Sequence, residues 1–289
     1  MKLHDGELDI SAGLVRRLLA AQLPDLAGLP LEPIKASGTD NIMFRLGDDL
    51  VIRLPRMPGS TGTIRKEHRW LPWLAPRLPL DIPRPVALGR PGEGYPLAWS
   101  VSTWLPGDHE ISDLALAATR LGGFVAAMQR IEVPDDAPGA YRAGAYQRAD
   151  DDVRAALSDL DIPGAGELWE TALRLPAWDG PPVWLHSDLL PPNLLARDGR
   201  LTAVIDFGCA GVGDPAADLM PAWTVFDEAT RPLFRAQLAV DDATWERGRA
   251  WALVFGVGAW HYYARTNPSF AALGRRAVNQ VLTRHGSST

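Results

Sequence analysis

The chain has 289 residues, 46% of them hydrophobic and 22% charged, which is typical of a globular protein long enough to form two lobes. Its formal net charge of −6 argues against a nucleic-acid partner, because a surface that follows phosphates needs an excess of basic residues. The start of the sequence has no apolar h-region, so we expect no secretory signal, and the most apolar later run, 250–260, is shorter than the ~20 residues of a membrane span. The single cysteine, Cys209, cannot form an internal disulfide. We therefore expect a cytoplasmic protein with no membrane contact.

The N-terminal part of the sequence predicts a small, strand-rich unit. Residues 11–23, SAGLVRRLLAAQL, have the period of a helix that Asp9 or Ser11 caps. From 34 to 55 the pattern changes to strands separated by short turns, which predicts a three-stranded antiparallel meander. The remaining elements of this part are a helix over 65–75, in spite of Pro72, and a strand over 97–105.

The rest of the sequence predicts mostly helices. A helix capped by Ser112 or Asp113 runs to Ile131, because apolar residues recur along it at helical spacing. Further helices are expected at 148–160, 166–175, 244–265 and 268–285, and one strand-rich segment, 183–207, lies among them. The predicted class is therefore α+β with two lobes: a small antiparallel-sheet lobe over 1–104 and a larger, mostly helical lobe over 105–289.

Polar residues cluster in this strand-rich segment. The stretch HSDLLPPN, 186–193, is followed by two apolar strands joined by a polar turn, which predicts a hairpin. The hairpin would place Asn193 at the start of one strand and Asp206 at the end of the other, with Asp188 on the preceding loop. Oxygen ligands on rigid strand ends suit Mg²⁺, and a further carboxylate can orient a hydroxyl and accept its proton.

Each of these residues alone has a simpler interpretation. An aspartate in a loop is most often a turn former or a helix cap. The three together, at this spacing and beside paired strands, favour a functional site. The two prolines at 191–192 fit this interpretation, because they restrict φ and reduce the entropy lost when the loop is fixed.

The spacing of these residues is similar to that of a known superfamily. His186, Asp188 and Asn193 stand at the spacing of the protein-kinase catalytic loop, and the DFG at 206–208 follows at the distance of its metal-binding motif. The wider wording, LHSDLLPPNLL followed by VIDFGCAGVGDPAADL, resembles the aminoglycoside phosphotransferase family more than the protein kinases. The resemblance implies a two-lobed protein-kinase-like fold.

The resemblance also implies roles for the matching residues of the second lobe. Asp188 would be the catalytic base, and Asn193 and Asp206 would bind Mg²⁺. His186 would brace the loop by a hydrogen bond, and Asp218 would tie the loop down from behind. For Asp218 an acid at the start of a helix is an equally simple interpretation.

In the first lobe the match to the family is less complete. The segment SGTDNIMFRL, which carries Thr39 and Asn41, resembles the family's nucleotide loop, although it has only one glycine and an ordinary hairpin turn explains it almost as well. Arg53 stands where the family usually has a phosphate-pairing lysine, so the charge is kept and the geometry is changed. Glu67 falls where its partner acid would be; an exposed arginine and a solvated glutamate are the structural alternative.

The implied cofactors are a nucleotide and a metal ion. By resemblance these are ATP, with GTP left open, and Mg²⁺. The segment SVSTWLPG resembles the connector that contacts the adenine edge, with backbone groups of Thr103 and Leu105 as the contacts. The implied partner is a small molecule that accepts phosphate on a hydroxyl, most simply an aminoglycoside-type antibiotic; a macrolide, an amino alcohol or another metabolite stays open.

The acceptor is expected between Asp188 and the C-terminal helices. The candidate residues there are Asp227, Glu228, Trp260, His261 and Tyr263, since carboxylates and aromatic faces suit a polyamine sugar. An aromatic run in a helix is, however, more typical of a core. A non-catalytic nucleotide-binding protein of the same fold is the alternative function: Arg53 and the glycine-poor loop favour it, whereas the presence of all three polar residues of the loop and hairpin counts against it.

Overall fold

The computed structural model describes residues 8–34, 41–57 and 61–283. The chain divides into two compact units. The first unit takes in residues up to Arg77, Asp81–Gly107 and Ala203–Gly208, and the second takes in Leu78–Leu80, Asp108–Thr202 and the chain from Cys209 onward. The short segment that carries Asp206 therefore belongs to the first unit, whereas Asp188 and Asn193 belong to the second.

The first unit is built on a five-stranded antiparallel sheet with the strand order β1-β2-β3-β5-β4. In chain order its elements are α1 (Ala12–Gln22), α2 (Pro24–Ala27), β1 (Leu31–Pro33), β2 (Asn41–Leu46), β3 (Leu50–Pro55), α3 (Thr61–Leu74), β4 (Pro85–Gly89) and β5 (Trp99–Thr103). Ser11 caps α1 by accepting a hydrogen bond from the Leu14 N–H at 3.2 Å. Helix α3 continues through Pro72, as predicted.

The edge strand β4 lies in a segment for which the sequence analysis predicts neither a helix nor a strand. It begins at a proline and its pairing with β5 slips between Pro85 and Ala87, so no clean alternation marks it in the sequence. Gly89 allows β4 to approach β5, because a Cβ at this position would lie 1.9 Å from the Trp99 ring.

The core of the first unit lies between α1 and one face of the sheet. Helix α1 contributes Val15, Leu18 and Leu19, which are fully buried against Ile52 and Trp99 of the sheet. Burial of such side chains stabilises the unit by roughly 1.5–3 kcal/mol each. This packing fixes the strand that carries Arg53, whose side chain lies on the opposite face from its neighbours Ile52 and Leu54.

The second unit is mostly helical. Its elements are α4 (Leu114–Gln129), α5 (Asp150–Leu160), α6 (Ala165–Leu173), β6 (Val183–Leu185), β7 (Leu194–Arg197), β8 (Arg200–Val204), β9 (Gly211–Gly213), α7 (Pro221–Thr224), α8 (Arg231–Arg235), α9 (Asp242–Tyr263) and α10 (Pro268–Leu282). Strands β7 and β8 form the predicted hairpin, and β6 pairs with β9. The unit boundary falls within β8.

The predicted helices of the second unit are present with small shifts at their ends. Asp113 caps α4, accepting from the Leu116 N–H at 2.9 Å. Asp241 caps α9, which begins two residues before the predicted start. Helix α5 begins at Asp150 because Tyr146–Ala149 forms a 3-10 turn instead. Within 8–34, 41–57 and 61–283, no helix is both long and apolar enough to cross a membrane.

Candidate functional site

The loop from His186 to Asn193 joins β6 to the hairpin, and its backbone is strained. Ser187 has a φ of 68°, in the left-handed region that side-chain-bearing residues rarely occupy. Such a conformation persists only where the surroundings hold it. Asp218 does so: its Oδ2 accepts from the His186 N–H at 2.7 Å and its Oδ1 from the Ser187 N–H at 2.6 Å.

Asp218 is completely buried behind this loop. Burial raises the pKa of its carboxyl above the usual value, while the nearby His186, the two backbone hydrogen bonds and Arg142 oppose that rise. The tie from behind that the resemblance implies is therefore present. His186 also braces the loop, because its Nδ1 accepts from the Asp188 N–H at 3.2 Å.

Asp188 is held at both carboxylate oxygens. Arg142 Nη1 donates to Oδ1 at 3.0 Å, and Asn193 Nδ2 donates to Oδ2 at 3.1 Å. The Asp188 side chain is 25% exposed and the Arg142 side chain 13%. Asn193 Nδ2 also donates to the Asp188 carbonyl at 2.8 Å. The carboxylate is thus fixed in orientation and still open to a ligand.

Arg142 is a site residue that the sequence analysis missed. Its backbone N–H donates to Ser187 Oγ at 2.7 Å, and its guanidinium also donates to the Ser187 carbonyl. The residue lies on an irregular segment before α5, 46 residues away from Asp188 along the chain. No local pattern marks it, because the contact exists only after the two segments meet in the fold.

Asn193 and Asp206 have donor atoms that fit a hard cation. Since Nδ2 of Asn193 makes the two hydrogen bonds to Asp188, its Oδ1 faces away from them and accepts no hydrogen bond within the described part of the chain. Asp206 has a φ of 65°, and its side chain is 55% exposed. Each residue, taken by itself within its own unit, offers an oxygen of the kind that suits Mg²⁺, which usually takes one or two protein ligands and completes its shell with water and phosphates.

In the first unit, Arg53 joins two acids. Its Nη1 lies 2.7 Å from Glu67 Oε2, and its Nη2 lies 3.5 Å from Asp206 Oδ1. The side chains of Arg53 and Glu67 are 13% and 6% exposed. Glu67 therefore forms a largely buried ion pair with Arg53 and is not a solvated residue. The structure thus brings three of the sequence-derived candidates together in one cluster.

The other nucleotide candidates are placed as follows. Thr39 lies outside the described residues, and Asn41 is buried at the start of β2, opposite Pro55. Thr103 uses its N–H and its Oγ1 in hydrogen bonds with Arg84, at 2.9 Å each, so only its carbonyl remains as a backbone contact. Leu105 follows β5 and is partly exposed.

A cavity of about 620 Å³ opens beside Asp188 in the second unit. Arg142, Arg148, Asp152 and Asp188 supply its charged groups. Its aromatic lining comes from Tyr141, Tyr146, Trp251, Phe255, Tyr263 and Phe270. Tyr146 donates its hydroxyl to the Ala172 carbonyl, and burial raises the pKa of this phenol to about 12, so it stays neutral. Asp152 and Asp188 are the carboxylates of this cavity, and of these two only Asp188 is held by Arg142 and Asn193.

Of the five residues expected around the acceptor, only Tyr263 lines this cavity. Asp227 instead forms a local turn, accepting from the Thr230 hydroxyl and N–H, and these bonds lower the pKa of its carboxyl. His261 is paired with Asp159 at 2.8 Å on the surface. Helical periodicity explains the difference, because Trp260 and His261 face away from the side of α9 that carries Trp251 and Phe255.

Two curated relatives resemble the chain. Homoserine kinase of Gluconacetobacter diazotrophicus is 29% identical over 283 residues, which cover 86% of this chain and 77% of the relative. An uncharacterised protein, YcbJ of Bacillus subtilis, is 28% identical over 202 residues. This second match covers 62% of the chain and spans 63% of the length of YcbJ.

Solved structures share the fold at low sequence identity. The GDP complex of aminoglycoside 2'-phosphotransferase-IIIa superposes with a TM-score of 0.70 at 18% identity, covering 92% of this chain and 97% of that one. The macrolide 2'-phosphotransferase MphH of Brachybacterium faecium gives a TM-score of 0.59 at 23% identity, covering 93% and 99%. The expected kinase-like fold, with a small antiparallel sheet and a mostly helical part, is confirmed.

The family model for the phosphotransferase enzyme family matches residues 31–251, which is most of the chain. The match includes β1 to β9 and, among the candidate residues, Arg53, Asp188, Asn193 and Asp206. The expected resemblance and the expected enzyme class, a phosphotransferase that acts on small molecules, are thereby confirmed. The chain belongs to the phosphotransferase enzyme family.

Proposed function

We propose that the protein transfers the γ-phosphoryl group of a nucleoside triphosphate, with Mg²⁺, to a hydroxyl of a small molecule. The observation that carries this proposal is the Asp188 carboxylate, which is fixed by Arg142 and Asn193 at the wall of a cavity large enough for a small molecule. A positioned carboxylate of this kind orients a hydroxyl for attack on a phosphoryl group.

The reaction balances with Asp188 as the base. The acceptor oxygen forms a bond to the γ-phosphorus while the bond from that phosphorus to the β–γ bridging oxygen breaks. The hydroxyl proton passes to Asp188 and then to solvent, and the products are a phosphate monoester and a nucleoside diphosphate. Because little covalent chemistry falls to the protein, its contribution is positioning and charge stabilisation.

Arg53, Glu67 and Asp206 are the groups proposed to serve the nucleotide in the first unit. Arg53 is fixed by Glu67, so its second nitrogen can hold a phosphate oxygen without losing much side-chain entropy. Asn193 and Asp206 would hold Mg²⁺, which when bound neutralises charge on the phosphates. Asn41, Thr103 and Leu105 would contribute contacts to the nucleotide, the last two through the backbone, and Thr39 remains a candidate from the sequence alone.

Two acceptor classes follow from the relatives. An aminoglycoside-type acceptor is the sequence-based expectation, and the solved structures that share the fold include aminoglycoside and macrolide phosphotransferases. A hydroxylated amino acid is the second class, because a homoserine kinase is similar over 86% of the chain. The charged groups of the cavity bear on this choice.

The test is acceptor-dependent release of nucleoside diphosphate by the purified full chain. ATP and GTP would each be supplied with Mg²⁺ or with EDTA, against kanamycin, a macrolide, an amino alcohol and L-homoserine. We expect release of nucleoside diphosphate with at least one acceptor in the presence of Mg²⁺, and no release in EDTA. Nucleotide binding without turnover for any acceptor in a wide panel would instead favour a non-catalytic role for this fold.

A further inference from the structure

The charged groups of the acceptor cavity balance one another. Two arginines, Arg142 and Arg148, and two aspartates, Asp152 and Asp188, line it. Arg142 and Asp188 form an ion pair with each other at 3.0 Å, so they offer no net charge to a ligand. The groups left to meet a charged ligand are one cation, Arg148, and one anion, Asp152.

Arg148 and Asp152 make no ion pair with each other or with any other residue of 8–34, 41–57 and 61–283. They are four residues apart, on the 3-10 turn before α5 and on its first turn, and both are exposed at the cavity. Residues at this spacing lie on one face of a helix, so an unmade pair between them is notable. The arrangement presents two opposite charges separately to the cavity.

The Arg148 side chain packs close to Gly144. A Cβ at Gly144 would lie 3.2 Å from Arg148 Nη1, so the guanidinium packs directly over the backbone of the segment that carries Arg142. Gly144 lines the same cavity. The guanidinium thus lies beside Gly144 at the lining of the cavity.

The remainder of the cavity is lined by uncharged residues, most of them aromatic or aliphatic. Phe270 contacts Phe255 and Tyr263 in edge-to-face arrangements, with ring centroids 5.8 Å and 5.0 Å apart. These rings and the apolar residues of α9, among them Val254 and Val257, form a wall with no charged group. An aromatic wall of this kind contributes through burial of apolar surface on the ligand.

We propose that the acceptor is a hydroxylated zwitterion of the amino-acid type, with one carboxylate, one ammonium group and an apolar body. Arg148 binds the carboxylate, Asp152 binds the ammonium group, and the hydroxyl reaches Asp188. This assignment rests on the proposed function and makes it more specific. A polycationic amino sugar fits less well, because its several ammonium groups would meet one free carboxylate and one free guanidinium.

The experiment compares acceptors that differ by one charged group. The zwitterions are L-homoserine and L-phenylserine. Each is paired with its analogue without the carboxylate, 3-aminopropan-1-ol or 2-amino-1-phenylethanol, and with its analogue without the ammonium group, 4-hydroxybutanoate or 3-hydroxy-3-phenylpropanoate. Kanamycin is the polycation. The expected kcat/KM for at least one zwitterion exceeds that for either of its analogues by about tenfold or more, since a hydrogen bond to a charged group contributes about 1.5–3 kcal/mol.

Two variants assign the charges. Arg148→Gln is expected to lower kcat/KM for the zwitterion about tenfold or more, through KM, and to leave the analogue without a carboxylate unchanged. Asp152→Asn is likewise expected to lower kcat/KM for the zwitterion, and to leave the analogue without an ammonium group unchanged. The matched control is Arg275→Gln, because Arg275 is an exposed arginine on α10 that does not line the cavity. This variant should leave kcat/KM for the zwitterion and for its analogues unchanged.

The outcomes separate this inference from the proposed function. A kcat/KM for kanamycin that exceeds the kcat/KM for every zwitterion would overturn the acceptor class and leave the phosphotransferase proposal standing. A kcat/KM for the zwitterions that Asp152→Asn leaves unchanged would do the same. Calorimetric binding of a zwitterion that Arg148→Gln abolishes, without any phosphoryl transfer, would support a zwitterion site at Arg148 and Asp152 and would overturn the proposed function. If no zwitterion is bound and none is phosphorylated, the inference is overturned.

Discussion

Arg142 Nη1 and Asp188 Oδ1 are 3.0 Å apart, and this contact ties a segment before α5 to a carboxylate of the loop from His186 to Asn193. The same arginine also bonds both the hydroxyl and the carbonyl of Ser187, the residue with a φ of 68°. One side chain thus supports the strained backbone and the orientation of the proposed base. Asp218 supports the same backbone from the opposite side.

Replacing Arg142 is expected to slow the reaction without removing the base. Arg142→Gln should lower kcat about 10- to 100-fold, because a charge-assisted hydrogen bond of about 1.5–3 kcal/mol no longer orients Asp188. Arg142→Lys should recover part of the loss. The dissociation constant for ATP, measured by calorimetry, should stay within about twofold. A kcat equal to that of the wild type in Arg142→Gln would show that the contact has no positioning role.

Asp218→Asn is expected to disturb the loop from behind. A carboxylate accepts from the N–H groups of both His186 and Ser187, whereas an asparagine places its own N–H₂ against one of them. A buried N–H left without an acceptor costs about 1–3 kcal/mol, so the free energy of unfolding should fall by about that amount and kcat should fall with it. Denaturant unfolding and steady-state kinetics measure the two effects. Unchanged stability would contradict the structural role of Asp218.

Arg53 is expected to tolerate lysine but not a neutral residue. Arg53→Met would leave the Glu67 carboxylate, 6% exposed, without its cation and would remove a positive charge near Asp206. The KM for ATP should rise about tenfold or more, whereas Arg53→Lys should stay within a few-fold. Arg16→Met, at an exposed position on α1, is the control. Equal KM values in Arg53→Met and the wild type would remove Arg53 from the nucleotide site.

The Asp241 cap of α9 is expected to make the free energy of unfolding depend on pH. Hydrogen bonds from the Thr244 hydroxyl and N–H lower the pKa of the Asp241 carboxyl below its usual value. The carboxylate therefore stabilises the fold above the unfolded-state pKa, and this contribution is lost as pH falls through the lower folded-state pKa. Asp241→Ala should cost about 1 kcal/mol near pH 7, with the difference from the wild type shrinking in acid.

Asp241→Asn is the matched variant, because asparagine caps a helix without a charge. Its stability near pH 7 should lie close to that of the wild type, and thermal unfolding should show a weaker dependence on acid pH. A deficit in Asp241→Ala that stays constant from pH 7 to strongly acidic pH would show that the ionised carboxylate is not the stabilising form.

Local sequence patterns predicted the parts of the fold that depend on neighbours in the chain. The Ser11 cap, the continuation of α3 through Pro72 and the hairpin that follows Asn193 each arise from short-range preferences. The predictions failed where tertiary packing decides the structure. Strand β4 pairs with β5 at a point where Gly89 leaves room for the Trp99 ring, and neither residue alone indicates this pairing.

The same distinction applies to the candidate site. Asp188 and Asn193 lie five residues apart, so the sequence places both in one segment, although it does not predict the hydrogen bond between them. Arg142 is held by contacts that cross 45 and 46 residues of sequence and has no local signature. The sequence wrongly predicts Trp260 and His261 at the acceptor cavity, because the aromatic run at the end of α9 does not show which side of the helix faces the cavity.

The central claim is that Asp188 accepts the proton of an acceptor hydroxyl during phosphoryl transfer. The most direct measurement follows the γ-phosphate of ATP into the acceptor by ³¹P NMR, with the wild type and Asp188→Asn, while calorimetry measures ATP binding to both. The account predicts a phosphate monoester with the wild type, a rate lower by about 100-fold or more in Asp188→Asn, and equal ATP affinity. A phosphate monoester formed at the wild-type rate by Asp188→Asn would contradict it.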